Sequence, residues 1–419
     1  MTTLVSLLGE EAGKCINCGF CESVCPTLPS SDYRAIYGAR GRVALGKKVF
    51  DDILKNKKTA LSISDSFYSC LDCYACFQVC PAGVNAGKVS SIMRQLITSQ
   101  QFTVVNQEKS VAKMIVSATL KYNSPIALKS DVLWTKDISF NYESDTLLYT
   151  GTMYQLMPNS KALSSLKQKF GDSMTEIFAK FIVKMPSLLK LSAGIYDRKL
   201  RDKMDSYLHD IALLLTEAGI QFTYLGSEEP YPGTFLHDLG YVKEFKQYAL
   251  KVTELFRSHK IKKIITVDPH TYELLKYVYP EYVQDFDFEV YHYLDFIKNL
   301  NFEKDDSHIT YHEPCHFVLR NVEYNVPKEI LKNIGNLKMP ARNGKSNMCC
   351  GGPDEMIYSS LSESVSNARF LELKGTEAKK IITACPICYI NLAKDESVID
   401  IAGYLKERLK SVENEAFDR

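Results

Sequence analysis

The sequence carries almost no net charge, no long apolar run and no nucleotide-binding glycine loop. Its 51 basic and 50 acidic residues leave a formal charge of +1, which argues against bulk electrostatic binding to nucleic acid or anionic lipid. No stretch approaches 18 uninterrupted apolar residues, so no transmembrane helix is read. The opening MTTLVSLLGEEAGK lacks the basic start and long apolar centre of a secretory signal. Neither G-x-G-x-x-G nor a P-loop occurs, which excludes NAD or ATP binding by those loops. At 419 residues and 45% hydrophobic content, the chain can still bury at least two ordinary cores.

What the sequence does have is cysteine. There are 13, eight within 15–80, five within 315–388 and none between. Disulfides are rare where no export signal is read, and an odd number cannot pair completely within one chain. The clustering points to ligand sets separated by a long stretch of other protein. CINCGFCESVCP places Cys15, Cys18, Cys21 and Cys25 before Pro26, and CLDCYACFQVCP places Cys70, Cys73, Cys76 and Cys80 before Pro81. Both follow C-x2-C-x2-C-x3-C-P, the bacterial ferredoxin spacing for [4Fe–4S] clusters, in which the fourth cysteine serves the other cluster. The reading is therefore crossed: Cys15, Cys18, Cys21 and Cys80 for one cubane, Cys70, Cys73, Cys76 and Cys25 for the second. Zinc sites or scattered buried thiols are the alternatives, and two full copies of the motif disfavour both.

Between the motifs, Val43, Lys47, Phe50 and Leu54 step at helical spacing, with Val49 and Ile53 widening the face. A second helix is expected over 85–99. The N-terminal module should thus be helical rather than a small β-rich ferredoxin. Arg40 and Arg42 read as solvated charges at a helix entry, with compensation of the clusters' negative charge as the alternative.

The remaining cysteines are Cys315 in HEPCH, Cys349 and Cys350 in MCCGG, and Cys385 and Cys388 in ACPIC. A vicinal disulfide at 349–350 would be strained, because neighbouring Cα atoms lie about 3.8 Å apart and disulfides prefer about 4.4–6.8 Å. Gly351 and Gly352 permit a tight turn that brings both sulfurs inward. C-P-I-C follows an apolar strand and opens a helix, where helix amides favour thiolate. Alone it resembles a thioredoxin-type redox pair, but that chemistry has no use for three further thiols. His312 and His316 flank Cys315 and are read as hydrogen-bond donors rather than ligands.

The set C-x33-CC-x34-C-x2-C, with HEPCH, CCGG and CPIC, closely resembles the CCG cysteine-rich domain. Behind two ferredoxin motifs it resembles one group of iron–sulfur proteins. That group includes the D-type subunit of heterodisulfide reductase and the iron–sulfur subunits of glycolate oxidase, of anaerobic glycerol-3-phosphate dehydrogenase and of lactate-utilisation systems. The resemblance covers about 10–100 and 305–395. It implies that Cys315, Cys349, Cys350, Cys385 and Cys388 hold a third iron–sulfur cluster of the non-cubane [4Fe–4S] type. It also implies two tandem CCG halves, and the first is visible without thiols. KKIITVDPHTYELL (262–275) repeats KKIITACPICYINL (379–392), with Asp268 and Thr271 where Cys385 and Cys388 stand. Thr150, Gly151 and Thr152 correspond to Glu313, Pro314 and Cys315, and Tyr231, Pro232 and Gly233 to Cys349, Cys350 and Gly351. Such residues cannot supply five soft ligands, so the first half is read as scaffold.

The expected fold is α/β, with an N-terminal α-helical ferredoxin module (1–100), a linker or helical segment (101–145) and a CCG domain of two pseudo-repeated α/β halves with parallel sheets (146–300 and 301–419). Strands are expected at 147–149, 263–266, 308–312 and 380–383, and helices at about 203–218, 241–258, 355–374 and 402–412. MTEIFAKFIVKMPSLLKL (174–191), apolar with interspersed lysines and broken at Pro186, reads as a helix against another protein surface, with a membrane surface as the alternative.

The resemblance implies one subunit of an oxidoreductase, catalytic only within a complex. An FAD-containing dehydrogenase, oxidising a 2-hydroxy acid or glycerol 3-phosphate, delivers electrons that pass through the cubanes to the CCG site and on to a quinone or membrane carrier. No nucleic acid takes part. The expected location is cytoplasmic, peripheral at the inner face of the membrane. Candidate proton carriers are His312, His316 and Asp268. The rivals are a disulfide reductase, which the missing first cysteine set disfavours because disulfide-reducing members carry both sets, and a structural or sensory iron–sulfur protein.

Overall fold

Cysteine-rich loops have little apolar side chain of their own, so a module built on them must draw its core from the helices between. The computed structural model, which describes residues 3–57, 63–99, 110–128, 130, 132–184, 188–320, 323–354 and 357–410, shows this arrangement. Helices α1 (Thr3–Gly13), α2 (Ala39–Leu54) and α3 (Ala86–Ser99) pack on one another through Val5, Leu8, Val43, Val49, Val89 and Met93, all buried. No strand occurs among the described residues of 3–99. A Cβ on Gly46 would lie 2.7 Å from Val89 Cγ1, so that glycine permits the close approach of α2 to α3. The buried stripe of α2 runs through Ala39, Arg42, Val43, Gly46 and Val49. Leu54, expected on it, is 53% exposed, because the helix ends there beyond its packing partners.

Two parallel sheets follow. The first has the order β1 (Thr146–Tyr149), β2 (Lys263–Thr266), β3 (Glu289–His292). The second comprises β4 (Asp305–His312), β5 (Gly335–Leu337), β6 (Lys380–Thr383) and β7 (Val398–Asp400), in the spatial order β5-β4-β6-β7. Each KIIT segment is a central strand, and its unbroken apolar run suits a strand covered on both faces. Their registers agree. Thr146 pairs with Lys263 and Tyr149 with Thr266, while Ile309 pairs with Lys380 and His312 with Thr383. Thr150–Thr152 and Glu313–Cys315 therefore leave their sheets at the same level.

The covering helices are α4 (Ser110–Tyr122), α5 (Met153–Lys184), α6 (Arg198–Glu217), α7 (Val242–Ser258) and α8 (Ser359–Lys374). Helix α6 starts earlier than its apolar pattern indicates because Asp197 caps it, accepting from Leu200 N at 3.0 Å. The C-terminal helix is Ile401–Lys406, shorter than expected, since Leu409 instead bridges to Phe302. In the segment read as a linker or helix, the described residues are packed: α4 lies on α5, and Trp134 is buried edge-on against Phe140 and Tyr224. Helix α5 carries Pro158 inside it and is interrupted at Gly171, which takes φ 80° and ψ 166°. The break expected at Pro186 lies outside the described residues.

Candidate metal centres

The two ferredoxin loops share one backbone path. Asn17 and Gly19 in the first, and Asp72 and Tyr74 in the second, have φ of 58°, 85°, 50° and 62°. Left-handed residues at these matching positions curl each loop so that successive sulfurs converge. Gly19 advertises this in the sequence and Tyr74 hides it. Two small cavities result. One is lined by Cys15, Cys18, Cys21 and Cys80 with Arg40 and Val43, the other by Cys25, Cys70, Cys73 and Cys76 with Arg42. The fourth cysteine of each motif thus lies in the other motif's cavity.

Every cysteine of the chain is a free thiol, and the surroundings suit anionic sulfur bound to a cation. Burial pushes Cys21 up to about 11 and Cys76 well above the usual thiol range, so without a metal these sulfurs resist ionising. Hydrogen-bond donors nevertheless point at the sulfurs: Val84 N at 3.2 Å from Cys80 Sγ, and Arg42 Nη1 at 3.7 Å from Cys25 Sγ. Donors of this kind stabilise metal-bound thiolate and tune cluster potential. Arg42 is not the solvated charge its sequence position indicates. It is 1% exposed, because its guanidinium also donates to Ser66 O at 2.7 Å and Ser69 O at 3.0 Å. Arg40 is half-exposed and pairs with Glu22 at 3.1 Å.

The other five cysteines are all buried. Cys315 and Cys349 pack in one cluster, Cys350 follows Cys349 in the chain and its Sγ lies 3.3 Å from Cys388 Sγ, and Cys385 Sγ accepts from Cys388 N at 3.4 Å. Gly351 takes φ 86° and has no room for a Cβ, which would lie 2.6 Å from Ser362 O, so the CCG turn requires glycine there. Hydrogen bonds from Cys349 and Cys388 pull Cys350 well below the usual thiol range, whereas burial raises Cys385 and Cys388. A nitrogen of His312 and the sulfurs of Cys350 and Cys388 lie within 4.8 Å of one another. Arg369 Nε donates to His312 Nδ1 at 3.1 Å. Arginine cannot accept, so neutral His312 carries its proton on Nε2, a buried atom with no hydrogen-bond acceptor in range among the described residues. Burial holds its pKa below the usual histidine value. The geometry favours a donor over a ligand.

His316 behaves otherwise. Its Nδ1 pairs with Glu273, in the helix that follows β2, and its ring lies 3.7 Å from that of His270, centroid to centroid. Arg320 reaches Glu273 Oε1 at 2.7 Å and Asp72 Oδ2 at 3.3 Å. One buried network thus joins the short helix after β2, the segment after Cys315 and the loop of Cys70–Cys76. Burial would raise Glu273, but Arg320 and His316 outweigh it and hold the carboxyl at about 2. Sequence reading missed Glu273 and Arg320. The available signal was a charge at 273 where the second copy has Ile390.

Asp268 has a structural partner set. Its Oδ1 accepts from His270 N and Thr271 N, both at 3.0 Å, capping the short helix Pro269–Glu273. Cys385 Sγ does the same for Pro386–Leu392, accepting from Cys388 N at 3.4 Å. Burial, against these hydrogen bonds, raises Asp268 to about 6.

A model of the 4Fe-4S dicluster domain matches residues 11–84, and the CCG cysteine-rich domain matches 309–393. The chain joins these two domains. It is 23% identical to a probable membrane-anchored ferredoxin of Chromohalobacter salexigens over 97% of this chain. It is 22% identical to the D-type subunit of the dihydromethanophenazine:CoB–CoM heterodisulfide reductase of Methanosarcina barkeri (93% of this chain, 90% of that protein). It is 23% identical to the probable glycolate oxidase iron–sulfur subunit of Bacillus subtilis (91% and 88%). The chain spans 59% of the length of the first of these. Domains and relatives match the group that the cysteine motifs resemble. No helix of the described residues is long and apolar enough to cross a membrane.

Proposed function

We propose that this chain is the electron-transfer subunit of an oxidoreductase complex, holding two [4Fe–4S] cubanes and a third iron–sulfur cluster at the CCG site. Cys15, Cys18, Cys21 and Cys80 would hold the first, Cys70, Cys73, Cys76 and Cys25 the second, and Cys315, Cys349, Cys350, Cys385 and Cys388 the third, of the non-cubane type. When bound, the clusters supply one-electron relay. Residues 146–300 and 301–419 act as pseudo-repeated halves, the first a scaffold without thiols. The observation that carries the reading is that Cys315 and Cys349 pack in one buried cluster with Leu71, Cys73 and Ala75, which sets the CCG cysteines against the second ferredoxin loop. A relay needs that adjacency, and a structural or sensory protein does not. Arg42 and the Val84 amide hold the ferredoxin thiolates in place. His312, oriented by Arg369, does so at Cys350.

The donor fits a flavin-containing dehydrogenase for a 2-hydroxy acid or glycerol 3-phosphate, by analogy with the glycolate oxidase relative, and the acceptor a quinone or membrane carrier at the inner face of the membrane. All five CCG sulfurs are at most 4% exposed, which favours relay over attack on a disulfide substrate. Gentle anaerobic purification of the tagged chain should bring down a flavoprotein whose substrate bleaches the cluster absorbance. A chain that purifies alone and turns over a small-molecule substrate by itself contradicts the proposal.

A further inference from the structure

The second part of α5, beyond the interruption at Gly171, is apolar on two faces. One is accounted for: Ala179 and Ile182 are buried, and Ile182 packs in a cluster with Ala118 of α4 and Leu189. The other is not. Met174, Ile177, Phe178 and Phe181 stand at i, i+3, i+4 and i+7, a single helical stripe, and are 56%, 61%, 59% and 52% exposed. Phe170, just before the interruption, is 65% exposed. Isolated exposed apolar residues need no explanation, but a contiguous stripe of large ones marks a contact surface.

The charge around the stripe identifies its partner. Between 174 and 190 the sequence has three lysines, Lys180, Lys184 and Lys190, and one acidic residue, Glu176. The lysines are exposed. Glu176 is partly buried and turned inward, accepting from Ser110 N at 2.9 Å. On a helical wheel Lys180 and Lys184 flank the stripe on one side, where long side chains can reach outward while the helix lies flat. An apolar face edged by lysine, on a helix too polar to span a bilayer, is the pattern of a segment lying in a membrane interface rich in anionic headgroups. A near-neutral chain carries this patch locally, so the balance of charge over the whole sequence does not oppose it.

We infer that α5 docks the protein on an anionic phospholipid surface, with Met174, Ile177, Phe178 and Phe181 entering the acyl boundary and Lys180 and Lys184 meeting the headgroups. The inference is independent of the electron-transfer reading, since binding to lipid requires neither donor nor acceptor.

The test is co-sedimentation of the anaerobically purified, cluster-loaded chain with vesicles of phosphatidylcholine, with and without phosphatidylglycerol. Wild-type protein should sediment with the phosphatidylglycerol vesicles, less with phosphatidylcholine alone, and less in high salt. Phe178→Ser/Phe181→Ser and, separately, Lys180→Glu/Lys184→Glu should each weaken binding by about tenfold or more, with iron content and circular dichroism unchanged because all four side chains are exposed. Failure of the wild type to sediment with either vesicle overturns the inference, as does unchanged binding in the serine variant. A concentration-dependent dimer that the serine variant abolishes, without vesicle binding, also overturns it and assigns the stripe to a second copy of the chain.

Discussion

The strand-to-helix turn after KIIT occurs twice, and the two versions solve one local problem with different atoms. In each, the central strand of a parallel sheet ends in an extended residue whose side chain caps the next helix. Asp268 does this with a carboxylate and Cys385 with sulfur. The fold at this corner requires an acceptor for helix amides and a following proline. It does not require a thiol. Downstream the copies diverge further. Where the second has Ile387, Cys388 and Ile390, the first has His270, Thr271 and Glu273. Two of these face the other half, His270 across the ring of His316 and Glu273 against His316 and Arg320. The thiol-free version is not merely blank. Its polar residues brace the segment that carries Cys315.

That contrast breaks most visibly at the sulfurs. Cys385→Ser with Cys388→Ser should remove the third cluster, so that iron falls from about twelve to about eight per chain while the ferredoxin signals persist. Next in size is Glu273→Gln, which leaves Arg320 and His316 buried without their shared carboxylate. We expect a loss of about 3 kcal/mol, read as a lower urea midpoint for bleaching of the CCG-site absorbance. The carboxyl is held near 2, below its usual 4.5. Its contribution is therefore present above about pH 4.5 and is lost as pH falls toward 2. The glutamine variant should lack that acid-side slope, and a variant as stable as wild type would show that the first half does not brace the second.

Arg42→Met sharpens a second comparison, between the two ferredoxin loops. The cavity of Cys70, Cys73, Cys76 and Cys25 is lined by the buried guanidinium of Arg42, and that of Cys15, Cys18, Cys21 and Cys80 by a half-exposed Arg40. Loss of Arg42 should lower the potential of the Cys25-ligated cluster by on the order of tens of millivolts, measured by redox-poised spectroscopy, and leave the other cluster nearly unmoved. The smallest effect on the clusters belongs to Asp268→Asn. Asparagine caps a helix as well as aspartate, so iron content and turnover should hold. A carboxyl raised from 3.8 to about 6 costs stability increasingly as pH rises through that window, so at pH 7 the asparagine variant should match wild type or exceed it by up to about 3 kcal/mol. Turnover lowered more than about tenfold with iron intact would instead mark Asp268 as a proton carrier.

The parts of this architecture that sequence makes legible are the local ones. C-x2-C-x2-C-x3-C-P states its own geometry, and KIIT declares a buried parallel strand because it is apolar without alternation. The two copies of KIIT are legible as a repeated segment, and both are interior strands of parallel sheets. What escaped depends on distant residues. Arg42 reads as a surface charge until Ser66 and Ser69 are known to offer carbonyls to it. Glu273 has no visible partner within its own half. Helix α5 was obscured by Pro158 and Gly171, which locally argue against 32 residues assigned to a single helix. The apolar character of 174–191 is visible in the sequence, but only packing shows which face is left uncovered.

The claim that one half holds a cluster and the other braces it is tested most directly by iron and acid-labile sulfide in the anaerobically purified chain, compared with Cys385→Ser/Cys388→Ser and Asp268→Asn prepared in parallel. The account predicts about twelve irons in the wild type and in Asp268→Asn, and about eight in the cysteine variant. About sixteen irons in the wild type, or a loss of iron in Asp268→Asn comparable to that in the cysteine variant, would contradict it.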